Sequence, residues 1–539
     1  MDKASEIITL YANEEAKARN FLNLYQETSE YMYQSESSIT TRHVPGEAHP
    51  DIVDTTAVFD AQDMASGLSS TMVPPGQPFF AIESTDREAN EEDENKQWLS
   101  KASEITHAAI WGSNFLMQFD EFLKGWVIFG EGCLFSEWSR TNNSLNFREY
   151  TAGSFHYLED YQRIPDTFFE KFELTARQAV QQFGITNVGP EIYSAHNDPQ
   201  RSEETFEFIH VCRPRMARDP EAIDTANMAF EDVFVNSTLR KLVTDSGGYV
   251  TFPYHIGRWS KSAKESRGRG VGTFLLPQVR GLNAMKRDLI ECGNRHNNPA
   301  AEIGPGVEGA VDFSPRALNY VSTMNQIRPL TSMAGNFPIT ADLLASERQE
   351  VHRAFMIDVF NQLSMTPPNR ATTVEIDERL KEGLRRLASP IGRLIAEVMD
   401  KLITRSLLLL IENGEIPEPP PGLQGKGIKV QYISFLVLML RQYQANAFIR
   451  WVQLVSEAEA VFPGVKDNVN ADRAIRDIAG TFGVKGTHIN SQKQVDEIRK
   501  QRAAEVEQQK QLEMQQQLAQ AYKQTTKAPQ EGSLAEAVL

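Results

Sequence analysis

The sequence predicts a mainly α-helical protein that carries a smaller α/β insert. Long stretches of helical periodicity lie toward both ends of the chain, and strand-like alternation is concentrated in its middle. Of the 539 residues, 41% are hydrophobic, 24% charged and 9% aromatic, a composition typical of a globular protein with a hydrophobic core. At about 100–200 residues per domain, this length predicts two to four structural units.

The N-terminal part is predicted to be helical. Apolar residues recur at helical spacing over 5–34 and again over 54–72, where small residues predominate and a Pro-Pro pair follows. A third helical pattern covers 98–129. A turn containing two glycines then leads into a predicted strand over 133–138.

The middle of the chain has a different pattern. A short helix from Thr175 to Phe183 precedes strand-like runs at 205–211 and 230–235, so we interpret this region as a small α/β module. An amphipathic helix over 273–296 follows, with Pro277 expected in its first turn.

Two long helices are predicted nearer the C-terminus. The first begins at a capping box over 372–375 and ends at Glu412, with a kink expected at Pro390. At about 1.5 Å per residue it would be about 60 Å long, which favours an elongated or oligomeric molecule. The second, near 489–523, is rich in Gln and polar all round, so we expect it to need neighbours in an assembly. Residues 525–539 are predicted to be a disordered tail.

Charge and cysteine content exclude several classes of protein. The 55 Lys and Arg against 72 Asp and Glu give a net charge of −17, the opposite sign from a protein that holds nucleic acid on a large basic surface. Cys133, Cys212 and Cys292 are too few for a disulfide framework or a zinc site, and we interpret them as buried thiols. No apolar stretch approaches the roughly 20 residues of a membrane span, so we expect a soluble protein of a reducing compartment.

Catalytic and ligand-binding motifs are not found. No Walker motif or Gly-x-Ser-x-Gly is present, and His43, His49, Asp51 and Asp54 match no metal-ligand spacing. The glycine-rich run 268–272 is better explained by a closely packed turn than by an anion site. We therefore predict no enzymatic activity, no metal site and no cofactor.

A local excess of positive charge lies between residues 258 and 295. It consists of Arg258, Lys261, Lys264, Arg267, Arg269, Arg280, Lys286, Arg287 and Arg295. Two interpretations stay open: a solvated surface offset by nearby acidic residues such as Glu265, Asp288 and Glu291, or contact with phosphate or an acidic partner.

Four segments in order carry a family resemblance. They are Asp54-Thr55-Thr56-Ala57 through Ala65-Ser66-Gly67-Leu68 to Pro74-Pro75 and Phe79-Phe80; Val127-Ile128-Phe129-Gly130 with Leu134-Phe135 and Glu137; Phe252-Pro253 through Arg258-Trp259 and Gly268-Arg269-Gly270 to Met285; and Ala371-Thr372-Thr373-Val374 to Pro417. Together they resemble the head-to-tail connector, or portal protein, of T7-like short-tailed bacteriophages. Arg267 stands where the family usually has Tyr, and Thr373 where it usually has Glu.

The resemblance implies a portal-type wing, stem, clip and crown architecture in a ring oligomer. By this likeness the chain divides into an N-terminal wing (1–160), a first stem helix (161–185), an α/β clip (186–257), a basic segment with the second stem helix (258–297), a wing (298–480) with a channel loop (362–371) and the long kinked helix (372–412), a crown or barrel helix (481–524), and the tail (525–539).

The resemblance also implies a function and partners. The ring, typically a dodecamer, would sit at one capsid vertex of the virion, assembled in the host cytoplasm with the major capsid and scaffolding proteins and without a membrane. Double-stranded DNA would pass through its channel during packaging and ejection, while the terminase large subunit and later the tail adaptor proteins dock on it.

Candidate functional residues follow from the same likeness. Asn369, Arg370, Arg280, Lys286 and Arg287 are predicted to face DNA in the channel, and Arg258, Lys261 and Lys264 to dock a partner. Two alternatives remain: another virion component, such as a tail adaptor or internal scaffold protein, and a nucleic-acid-processing enzyme that uses the cluster at 258–270.

Overall fold

The chain forms two structural units. The computed structural model describes residues 2–41, 52–74, 76–86, 88–219, 224–297, 301–305, 327–329, 337–364, 385–433, 450–459 and 492–525, together with shorter runs and isolated positions between them. The first unit comprises Met1–Phe80, Glu104–Pro417 and Tyr432–Tyr443, and the second comprises Ala81–Ser103, Glu418–Gln431 and Gln444–Leu539.

Helices dominate the first unit. They include α1 (Lys3–Met32), α2 (Thr56–Met72), α4 (Phe115–Ile128), α7 (Val271–Asn297), α8 (Phe337–Ala354) and α9 (Ile357–Ser364), while α3 (Asp93–Trp111) is divided between the units. The helices predicted over 5–34, 54–72 and 273–296 are confirmed. The pattern over 98–129 is two helices, because residues 112–114 form a turn. Small buried residues let α2 pack against α4.

The α/β insert begins earlier in the chain than predicted, because it is formed by two antiparallel sheets whose strands lie between residues 131 and 258. The larger sheet has the strand order β4-β5-β6-β7-β8, with β4 at Phe155–Glu159, β5 at Pro165–Thr175, β6 at Thr205–Pro214, β7 at Phe230–Asn236 and β8 at Lys241–Tyr249. Helices α5 (Ala176–Phe183) and α6 (Gly189–Asn197) connect β5 to β6. The smaller sheet has the order β3-β2-β9, with β2 at Glu131–Ser139, β3 at Ser144–Tyr150 and β9 at Tyr254–Arg258. A separate short pair joins β10 (Ala301–Ile303) to β11 (Ile327–Pro329).

The predicted first stem helix over 161–185 is wrong for most of its length. Residues 165–175 form β5, which pairs with β6 from Phe168–Cys212 to Thr175–Thr205. Aromatic residues on both faces of this run favour a strand between two packed layers. Only the eight residues of α5 are helical, and a capping box at Thr175 and Gln178 begins that helix.

The insert has a core on each side of the larger sheet. Aromatic side chains of the two sheets pack together, including Phe135, Tyr150, Phe168 and Tyr254. On other sheet surfaces, α1 packs against β5, β6 and β7, and α5 and α6 form a separate cluster with residues of β6. Cys133 and Cys212 are buried as predicted, whereas Cys292 is half-buried.

The long helix predicted over 372–412 is confirmed for the residues that the structure describes, 385–412. It is helical from 385 to 394 (α10), widens to a π-helical turn at Ile395–Met399 and continues as α11 (Asp400–Glu412). The predicted capping box at 372–375 lies outside the described residues. Of the predicted channel loop, 362–364 is the last turn of α9, and the remainder lies outside them too. In α7, Pro277 lies in the second turn rather than the first, because the helix begins at Val271.

The second unit is smaller. Strand β1 (Phe80–Ser84), which begins in the first unit, pairs with β12 (Ile428–Tyr432), and helix α12 covers 450–458. The Gln-rich helix is confirmed as α13 (Gln492–Thr525), and every side chain described between 496 and 518 is exposed. The predicted tail at 526–539 lies outside the described residues.

Candidate functional site

The N-terminal end of α7 is fixed by a contact between two glycine-containing segments. A Cβ on Gly130, whose φ is +94°, would lie 2.1 Å from the backbone nitrogen of Gly270. A Cβ on Gly268 would lie 2.0 Å from the carbonyl oxygen of Gly130. The backbone N–H of Gly270 donates to the carbonyl oxygen of Phe129 over 3.0 Å. The interpretation of 268–272 as a closely packed turn is therefore confirmed.

A buried ion pair lies beside this glycine contact. The guanidinium of Arg267, 5% exposed, donates to the fully buried carboxylate of Glu131 and to Nδ1 of His156, the latter over 2.8 Å. Burial raises the pKa of Glu131, while Arg267 opposes the rise. Burial and the Arg267 charge lower the pKa of His156 to about 3. The arrangement keeps one cation and one anion together inside the subunit.

The predicted docking residues Arg258 and Lys261 lie inside the subunit as well. Arg258 is 3% exposed, and its Nη2 lies 2.7 Å from a carboxylate oxygen of Glu397. Glu159 accepts from both Arg258 and Lys261. The interpretation of these two cations as an exposed docking surface is thus wrong, because acidic residues far away in the sequence neutralise them. Lys264 is exposed, and its docking role stays a prediction.

The predicted channel residues of α7 lie on two different faces. Exposed residues recur at steps of three or four, and they include Arg280, Arg287 and Glu291. Arg280 lies 3.4 Å from Glu27 across the surface. Lys286 instead lies 3.2 Å from the buried carboxylate of Asp54. Asn369 and Arg370 lie outside the described residues.

Asp54, which the sequence offers as part of a family segment and as a rejected metal-ligand candidate, organises the contact between α7, α8 and the start of α2. Its Oδ2 accepts from Nη2 of Arg348 over 2.6 Å and lies beside Lys286. Burial alone would raise its pKa, but hydrogen bonds from Thr56, Arg348 and Lys286 lower the pKa to about 2. Asn283 Oδ1 accepts from the backbone N–H of Asp54 over 2.9 Å. The sequence gives no sign of this role, which follows from the burial of Asp54 in the folded subunit.

The described part of the chain offers little for catalysis or membrane insertion. Within it, no group of three or more His, Cys, Asp or Glu side chains is arranged to hold a metal ion. Across the same residues, every helix is too short or too polar to cross a bilayer. Several buried charges are arranged in pairs that link segments of the fold, whereas the buried guanidinium of Arg405 donates to the backbone carbonyl oxygens of Ser136 and Thr251.

Comparisons with known proteins define the class. A family model described as bacteriophage head to tail connecting protein matches residues 4–489. A probable portal protein of Bordetella phage BPP-1 is 24% identical over 503 residues, which cover 90% of this chain and 88% of that protein. A portal protein of Salmonella phage epsilon15 is 24% identical over 482 residues, which cover 88% of this chain and 86% of that protein.

These matches indicate a structural protein of the phage head-to-tail junction. The chain belongs to the family of bacteriophage head to tail connecting proteins, since the family model covers most of its length. The resemblance seen in the sequence is confirmed.

Proposed function

We propose that the chain is a phage portal subunit, which forms a ring around a channel at one capsid vertex and lets the genome enter and leave. The observation that carries this proposal is the family match over residues 4–489, together with two relatives named as portal proteins. The function is structural rather than enzymatic. Its partners are further copies of the chain, capsid and scaffolding proteins, a terminase, tail adaptors and the DNA itself.

Two features of the subunit support oligomerisation. Helix α13 is mainly polar and is exposed over residues 496–518, and an isolated helix of this kind gains little from packing within its own chain. Large apolar side chains are also exposed on helices of the first unit, namely Phe59, Met117 and Phe274. Neighbouring subunits in a ring would cover such side chains.

The roles of individual segments are part of the proposal. Helix α7 would serve as the stem and face the channel with Arg280 and Arg287, to which Asn369 and Arg370 of the 365–371 segment would add. The five-stranded sheet with α5 and α6 would form the clip, α13 the crown, and the remaining helices the wing. The net charge of −17 per subunit would limit adhesion of DNA, because few phosphate contacts would form.

A complementation experiment tests this function. The phage that encodes the chain is made unable to produce it, and the chain is supplied from a plasmid. We expect heads without DNA in the absence of the chain and DNA-filled heads when it is supplied. Heads that fill with DNA but lack tails would indicate a tail adaptor instead, and failure to form heads would indicate a scaffold protein.

A further inference from the structure

A cavity of about 330 Å³ lies between the two sheets of the insert. Side chains alternate along a strand, and alternate residues over 135–137 of β2, 146–150 of β3 and 170–174 of β5 line this space. Glu137, Tyr150 and Glu170 line it from those three strands, and Tyr249 and Tyr254 line it from β8 and β9. The portal function proposed above assigns no role to this cavity.

Two carboxylates face the cavity. The amide Nδ2 of Asn146 donates to Oε1 of Glu137 over 3.0 Å. Burial raises the pKa of the Glu170 carboxyl group, while the charges of His210 and Arg148 oppose the rise. A cation placed between the two carboxylates would offset this desolvation.

The lining supplies little positive charge of its own. Among the described residues of the lining, Arg148 is the one permanent cation, and it is exposed at the rim. The imidazole of His210 also lines the cavity, but its Nε2 lies 2.5 Å from the Asp232 carboxylate. Gln182 of the lining is exposed as well, so the cavity opens to solvent.

Aromatic rings form much of the remaining wall. The ring centroid of Tyr254 lies 4.9 Å from that of Phe135 and 6.0 Å from that of Tyr150. The guanidinium carbon of Arg148 lies 5.1 Å from the Tyr150 ring centroid, and that of Arg405 lies 5.4 Å from the Tyr249 ring centroid, so tyrosines of this lining already contact two guanidinium groups of the chain itself. A planar guanidinium stacks on aromatic faces and pairs with carboxylates through two parallel hydrogen bonds.

We infer that this cavity binds an arginine side chain presented by a partner protein, with the guanidinium against the aromatic wall and paired to Glu137 and Glu170. The acidic character of the chain as a whole favours approach of such a basic partner. The inference does not depend on the portal function, because it requires only the insert.

The test uses the full-length chain and two small probes. Argininamide carries the guanidinium, and citrullinamide has nearly the same shape without the charge. Saturation-transfer NMR titrations measure the binding of each probe. We expect argininamide to bind at least about tenfold more tightly than citrullinamide, because only it pairs with the carboxylates. Equal affinities for the two probes would overturn the inference without any variant being made.

Matched variants then locate the site. Glu137→Gln and Glu170→Gln each remove one cavity carboxylate and should weaken argininamide binding at least about tenfold. Glu173→Gln is the control, since this residue lies on β5 three positions from Glu170 and on the opposite face of the sheet. Unchanged binding by the first two variants, or an equal loss in the control, would show that the probe binds elsewhere.

Discussion

Glu149 on β3 shows how burial decides the protonation of a single residue. Its backbone N–H donates to Oε1 of Gln118 over 2.7 Å, and its carboxylate accepts from the Thr151 hydroxyl over 3.1 Å. Burial raises the pKa of Glu149 to about 8, the Thr151 hydrogen bond opposes the rise, and Glu36 and Glu121 add to it. The unfolded chain releases this proton near pH 4.3, so the folded state binds it more tightly.

This shift predicts a specific loss of stability with rising pH. A folded pKa above the unfolded one means that stability is present at low pH and falls as pH rises from about 4 to about 8. Glu149→Gln stays neutral and avoids the loss. Its advantage in unfolding free energy over the wild type should grow by about 1.4 kcal/mol per pH unit between about pH 5 and 8. Urea unfolding across that range measures the difference, and a constant difference would contradict the assignment.

The Arg267–Glu131 pair predicts a second residue-level effect. Arg267→Met leaves the buried Glu131 carboxylate without its cation, which should cost about 3–5 kcal/mol of unfolding free energy. Glu131→Gln in the same chain removes the orphaned charge and should restore part of the loss. Urea unfolding of the two single variants and the double variant tests this. Losses that simply add would show that the two side chains are not coupled.

Among the elements, the contact between Gly130 and the 268–270 segment fixes where α7 begins. Gly130→Ala places a methyl group against backbone atoms at a positive φ, so we expect a loss of about 2–5 kcal/mol. Gly281→Ala is the matched control on α7, since no atom lies within 4 Å of its added Cβ. That variant should gain about 0.5–1 kcal/mol through helix propensity. Thermal unfolding of both variants measures the contrast, and similar effects would contradict the close contact.

The two faces of α7 predict different consequences for neighbouring cations. Arg280→Gln with Arg287→Gln changes exposed charges, so it should alter the amount of DNA packaged or retained while rings and unfolding temperature stay unchanged. Lys286→Gln removes a partner of the buried Asp54 and should lower stability by about 1–3 kcal/mol.

Packaging assays and thermal unfolding distinguish the two faces of α7. Lys17→Gln on α1, which removes an exposed cation paired with Glu14, is the control for charge alone. Packaging that is the same in the double variant and in this control would reject a channel role for Arg280 and Arg287.

Local sequence patterns predict helices and strands better than they predict which of these elements contact one another. Helical periodicity is sufficient to predict α1, α2 and α7, because each has an apolar stripe. Helix α13 is predicted from its Gln-rich and mainly polar sequence. The error at 161–175 comes from family likeness, whereas residues 165–175 form β5 with aromatic side chains on both of its faces.

Ion pairing could not be predicted in the same way. Glu397 lies 139 positions from Arg258 in the sequence, so nothing local indicates that Arg258 is neutralised inside the subunit. The cavity between the sheets was missed for the same reason, since its two carboxylates come from different strands.

At the scale of the whole molecule, family membership and subunit structure favour an assembly. The chain belongs to the head to tail connecting proteins over most of its length, and α13 presents a long polar surface with little packing of its own. The acidic composition excludes a protein that holds DNA tightly on a large basic surface. The number of copies in the assembly depends instead on contacts between chains. The central claim is therefore a ring with a channel.

Electron microscopy of the purified full-length chain, with mass from sedimentation, tests that claim most directly. We predict closed rings of about a dozen copies, as the family likeness implies, around a channel wide enough for duplex DNA. Because portal rings can require a scaffolding protein to assemble, the measurement is made with and without the scaffold of the same phage. A compact dimer without a channel under both conditions would contradict the account.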